Sequence, residues 1–154
     1  MYCLDSSALI DAYVRRYPPD FLPSLWKCIE DLITNEILLS PDEVLLELER
    51  GNDELYNWAI NHPSLFRPPT LMIQARVSNI VNTFPTFVQP RAADGVWADP
   101  YVIALAQEVG AAVVTTEGLA PSNARHPKIP NICNALNIRC LTLLQFIREC
   151  GWRF

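Results

Sequence analysis

The chain has 154 residues, of which 50% are hydrophobic and 19% charged; that is enough apolar material for one packed core, and it excludes a disordered chain. Seventeen acidic side chains stand against twelve basic ones, a formal charge of −5, so duplex DNA held through phosphate contacts alone is not expected. No apolar run approaches the roughly 20 residues of a membrane helix.

Met1–Leu4 is a short apolar run that stops at Asp5-Ser6-Ser7 and reads as a buried strand ending in a turn. The opening has neither a basic stretch nor a long apolar segment, so no export signal and a cytoplasmic location are expected. A short helix is predicted over Ala8 to Val14. Pro18, Pro19 and Pro23 punctuate the stretch after it, and Ser24 is placed to cap a second helix with Leu25, Cys28, Ile29, Leu32 and Ile33 on one face. Ile37–Leu39 reads as a second strand. Asp42 to about Arg50 reads as a helix closed by Gly51, and Asp53 as the cap of another through Trp58. His62 to Pro69 is rich in breakers.

Thr70 to Asn82 is helical in pattern, and Thr83 to Asp94 is expected to be a loop. Asp99-Pro100 opens the clearest helix, with Asp99 expected at the N-cap and Gly110 ending it. Ala111–Thr115 is a β-branched strand. A short helix within Ile129 to Asn137, a strand over Ile138–Leu141 and a helix over Thr142 to Cys150 complete the chain. Buried strands alternating with helices argue for one α/β domain spanning 1–154, with a parallel sheet covered on both faces. The cysteines (Cys3, Cys28, Cys133, Cys140 and Cys150) form no Cys-x-x-Cys pair, and reduced thiols are expected.

In open parallel sheets, ligands gather beyond the carboxyl ends of the strands. Asp5 ends the first strand, Glu47 lies on the helix after the second, Asp99 starts the helix that feeds the next, and Glu117 follows that strand. Parallel strands bring such distant carboxylates to one edge. A cluster of that kind repels itself unless a cation neutralises it or some members stay protonated. Oxygen-only ligands favour magnesium or manganese over zinc, and the matching reaction is phosphodiester hydrolysis.

Leu4-Asp5-Ser6-Ser7-Ala8-Leu9-Ile10, Ser40-Pro41-Asp42-Glu43-Val44-Leu45-Leu46-Glu47-Leu48, Ala98-Asp99-Pro100-Tyr101-Val102-Ile103-Ala104-Leu105-Ala106 and Val113-Val114-Thr115-Thr116-Glu117 resemble, in this order, the four acidic segments of PIN domains. The resemblance is closest to an uncharacterised prokaryotic branch of that superfamily. It implies a three-layer α/β/α fold with a central parallel sheet of about four or five strands. It also implies a magnesium- or manganese-dependent endoribonuclease, the VapC-type toxin of a toxin–antitoxin pair, with an RNA substrate, a cognate antitoxin and a homodimeric state. Asp5, Glu47, Asp99 and Glu117 become the catalytic metal ligands. Ser7, Glu43 and Thr115 become auxiliary residues.

Each assignment has a plainer counterpart. Asp-Ser-Ser after a strand is ordinary turn chemistry, and Ser7 alternatively caps the helix from Ala8. Glu47 and Glu49 flank the apolar stripe of their helix at similar angles, so periodicity does not choose between them. Glu117 departs from the commoner Asp of PIN domains, and Asp42 and Asp94 are substitutes in the cluster. Arg15, Arg16, Arg125 and Lys128 are candidate RNA-backbone contacts, or solvated surface charge. The four tryptophans read as core or interface. A haloacid-dehalogenase-like phosphatase fits less well, because Ser7 stands where its second Asp belongs. A receiver domain lacks its late-strand Asp and its Lys. A non-catalytic PIN-like module binding RNA or an antitoxin is the remaining alternative.

Overall fold

The structure, a computed structural model, describes residues 1–51, 53–87 and 97–154. Five short strands form one all-parallel sheet: β1 (Tyr2–Leu4), β2 (Leu38–Pro41), β3 (Phe66–Arg67), β4 (Ala112–Val114) and β5 (Cys140–Leu141), in the spatial order β3-β2-β1-β4-β5. Eight α-helices are described: α1 (Ser6–Ile10), α2 (Pro23–Thr34), α3 (Asp42–Glu49), α4 (Glu54–Ile60), α5 (Leu71–Thr83), α6 (Asp99–Val109), α7 (Ile129–Ala135) and α8 (Leu143–Glu149). The architecture is α/β, with helices flanking a central sheet in three layers.

The strands are buried runs, as a parallel sheet covered on both faces requires. Cys3, Leu4, Leu38, Leu39, Val113 and Val114 are all buried. Register pairs Tyr2 with Leu38 on one side of β1 and with Ala112 on the other. The Asp5 N–H continues the ladder past the end of β1 by donating to the Val114 carbonyl at 3.0 Å, and the Ser40 hydroxyl donates to the Leu4 carbonyl at 2.8 Å. The central helix α6 carries its apolar stripe, Val102, Ile103 and Ala106, into the core. Among the described residues no helix is long and apolar enough to cross a membrane.

Several local expectations are corrected. The first helix starts at Ser6, with Asp5 at its N-cap position, and gives way at Asp11–Arg16 to a π-helical segment instead of running evenly from Ala8 to Val14. Ser24 caps nothing, because Pro23 already occupies the first helical position of α2. Gly51 has no left-handed backbone; among the described residues the left-handed glycines are Gly110 and Gly151. Phe66–Arg67, inside the breaker-rich stretch, is the edge strand β3. Pro85–Phe87 is a 3₁₀ turn within the expected loop, and the rest of that loop, with Asp94, lies outside the described residues. Asp53 and Thr70 do cap their helices, accepting from the Tyr56 and Ile73 N–H groups.

Candidate functional site

The chain builds outward from β1 in two directions. It first adds β2 and β3 on one side, then crosses to place β4 and β5 on the other. The carboxyl ends of β1 and β4 therefore flank the point where strand order reverses, which is where open α/β sheets form their crevice. Asp5 leaves β1 at that point, and Thr115 to Glu117 leave β4 there.

Asp5 is only 2% exposed. Its Oδ2 accepts from the Ser7 hydroxyl and, at 2.9 Å, from the Thr115 hydroxyl. Burial pushes its carboxyl up from the usual range, and the hydroxyls of Ser7 and Thr115 pull it partly back. The Ser7 oxygen also accepts from the Thr116 N–H at 3.2 Å. Ser7 therefore orients the Asp5 carboxylate and does not cap a helix, and Thr115, almost fully buried, does the same from the end of β4.

Glu47 faces the same crevice from α3. Its Oε2 accepts from the Ser6 hydroxyl at 2.6 Å and its Oε1 from the Ala98 N–H at 2.9 Å. It thereby links the start of α1 to the start of α6, one residue before Asp99. Glu49 points elsewhere: it is exposed and its contact is the Tyr56 hydroxyl at 3.5 Å, so the structure separates two glutamates that helical periodicity leaves equivalent. Glu43 is half-buried and its carboxyl is raised by burial; its Oε2 is covered without a hydrogen-bond partner among the described residues. Asp42, half-buried, is the first residue of α3.

Asp99 corrects an expectation. The N-cap of α6 is Ala98, and Asp99 is the first helical residue, making no capping bond. Its carboxyl is therefore left for the crevice. It is pushed up to about 7, first by burial and then by the negative fields of Asp5, Glu117 and Glu47, with a hydrogen bond from Trp97 acting the other way. Glu117 is raised by burial and by Asp5. The N–H of Ile129, which donates to its Oε2 at 2.9 Å, and the ammonium of Lys128 oppose this. Asp99 thus lies within the fields of the other three carboxylates, and Glu117 within that of Asp5.

The basic candidates divide. Lys128 stands beside Glu117, and Arg16 is paired with Asp11 at 2.6 Å, while Arg15 and Arg125 are simply exposed. No motif or spacing singles out Ser6, Trp97 or Asp11. Ser6 gains its role from a contact across the fold with Glu47, Asp11 from one across the π-helical segment with Arg16, and Trp97 from a local hydrogen bond to Asp99. Trp26 and Trp58 pack with Tyr13 in an aromatic cluster, their ring centroids 4.9 Å apart, in keeping with core use.

The donor set suits a hard divalent cation: it consists of carboxylates backed by hydroxyls, and their mutual repulsion is what a cation would relieve. As the side chains stand, no three His, Cys, Asp or Glu groups among the described residues close on a single ion position. Glu47 and Glu117 are each turned toward a backbone N–H. Asp5, Glu47, Asp99 and Glu117 are the residues that could hold the ion after side-chain rotation.

No curated protein matches the chain. A family model does match, over residues 2–154, and the chain belongs to that family, described as Domain of unknown function (DUF4411).

Proposed function

We propose that this protein is a magnesium- or manganese-dependent endoribonuclease with a PIN-like site built on Asp5, Glu47, Asp99 and Glu117. The observation that carries the proposal is the field that Asp5, Glu117 and Glu47 exert on Asp99. The four side chains come from distant segments, and burial, joined by the negative charge of the other three, lifts Asp99 to about 7. Such an arrangement is unfavourable on its own and becomes favourable once a cation is held. A bound divalent ion supplies Lewis-acid stabilisation of a phosphodiester.

The chain's own residues would do the rest. Ser7 and Thr115 hold Asp5 in one orientation, Ser6 and the Ala98 N–H hold Glu47, and the Ile129 N–H holds Glu117. Lys128 brings a positive charge to the Glu117 side, where a phosphate would approach. The toxin role and a cognate antitoxin belong to the same proposal, and relief of growth arrest by the neighbouring gene would test them.

The direct test is cleavage of single-stranded RNA by the purified chain with magnesium or manganese. Cleavage is expected to stop on chelation and to fall at least a hundredfold in Asp5→Asn and in Asp99→Asn, with both variants folded. Cleavage persisting at wild-type rate in both variants counts against these carboxylates. The absence of any cleavage, together with retained RNA binding, favours the non-catalytic module, which the Glu at position 117 keeps open.

A further inference from the structure

A second cleft, of about 260 Å³, opens beside the carboxylate rim between the π-helical segment and the start of α8. Its walls include Arg16, Tyr17, Thr116, Thr142 and Leu144. Thr116, in its wall, links it to the candidate site. The Thr116 N–H donates to the Ser7 oxygen, and the Ser7 hydroxyl donates to Asp5, so one hydrogen-bond chain runs from cleft wall to carboxylate.

The π-helical winding determines which groups reach this cleft. Residues five apart point to different faces of an α-helix. The wider π turn, closed here by the Tyr17 N–H donating to the Ala12 carbonyl at 2.9 Å, brings Arg16 back over Asp11. The Arg16 Nε donates to the largely buried Asp11 carboxylate at 2.6 Å. The guanidinium carries five N–H donors, and its terminal nitrogens have no partner among the described residues. Arg16 is thus an exposed cation held by one edge with its fork free, a geometry suited to a phosphate. The Tyr17 backbone is fixed on both sides, its N–H bonded to Ala12 and its carbonyl accepting the Trp26 indole N–H at 2.6 Å. Its half-buried aromatic ring, at the cleft wall, is a platform for a base. The Thr116 and Thr142 hydroxyls supply small polar groups nearby, and Leu144 supplies apolar surface.

We propose that this cleft is a nucleotide subsite: it takes the residue of single-stranded RNA that flanks the scissile phosphate, with Arg16 on the backbone phosphate and Tyr17 under the base. The substrate class rests on the ribonuclease reading above.

The test measures binding of a fluorescein-labelled single-stranded oligoribonucleotide of mixed sequence by anisotropy, across a salt series in magnesium buffer. All proteins carry Asp5→Asn so that the probe stays intact. Arg16→Ala is expected to weaken binding about tenfold and to lower the log–log salt slope by about 0.7, the loss of one single-strand phosphate contact. Tyr17→Leu is expected to weaken binding fivefold or more with the slope unchanged. Leu144→Glu, at a position 47% exposed, is expected to weaken it several-fold without touching the core. Unchanged affinity and slope in Arg16→Ala, or full binding by Leu144→Glu, overturns the subsite. Cleavage by chains with Asp5 restored separates the two claims. RNA cutting with Arg16→Ala binding unaltered removes the subsite alone. No cutting, with binding lost on Arg16→Ala, removes the reaction alone.

Discussion

Asp99 sits at the first turn of α6 with its carboxyl in the fields of three other carboxylates. A free Asp titrates at 3.8, and this one at about 7. Between those values the folded state binds the extra proton, so this group's contribution to stability is complete below pH 4 and is lost as pH rises through 7. In metal-free buffer the melting temperature is therefore expected to fall across that window. Asp99→Asn is expected to flatten the fall and to be more stable at pH 8 by roughly 2 kcal/mol, allowing for partial exposure of the group. Equal pH profiles for the two proteins would remove Asp99 from the cluster. Glu117 shows why a longer side chain suits its place: its Oε2 reaches the Ile129 N–H across the loop of residues 118–128, and Glu117→Asp is expected to lose that bond and lower cleavage by tenfold or more. At this scale the resemblance points to the acidic positions, Glu47 included, yet helical periodicity does not choose Glu47 over Glu49, because both flank the stripe of α3; the bonds from Ser6 and Ala98 distinguish them in the structure. Asp99 reads as a cap in the sequence because Asp-Pro is the same signal whether Asp stands at the N-cap or one residue further in.

The helix and strand pattern is legible wherever periodicity is long or punctuation strong. Gly110 illustrates it: α6 ends on this residue at φ 67°, left-handed, with open space where a Cβ would sit. Gly110→Ala therefore introduces backbone strain without a clash, and is expected to cost about 1–2 kcal/mol and several degrees of melting temperature, readable by thermal denaturation. An unchanged melting temperature would show that the chain ends α6 another way. Two elements are not legible. β3 has only two residues, Phe66 and Arg67, and pairs only because β2 already lies beside it, so no local alternation announces it. The π-helical segment Asp11–Arg16 shares its composition with an ordinary helix, and its winding shows only in the Tyr17-to-Ala12 bond.

Across the whole molecule, the strand order β3-β2-β1-β4-β5 sets where function can sit. It places the ends of β1 and β4 side by side at the reversal point, and α3 and α6 bring Glu47 and Asp99 to the same rim. Alternating strands and helices predict a parallel sheet but not its order, which depends on which crossover packs where. A divalent cation that binds this rim in the folded state alone must stabilise the protein by mass action. Magnesium at a hundred times its dissociation constant is expected to add about 2.7 kcal/mol at pH 8, and Asp5→Asn is expected to abolish the gain. The most direct measurement is anomalous scattering from crystals soaked in manganese. An ion is expected at the ends of β1 and β4, bound at about 2.1–2.3 Å by oxygens of Asp5 and at least one of Asp99, Glu117 and Glu47. Crystals in which manganese occupies other surfaces and leaves that crevice without metal density would contradict the metal-dependent site.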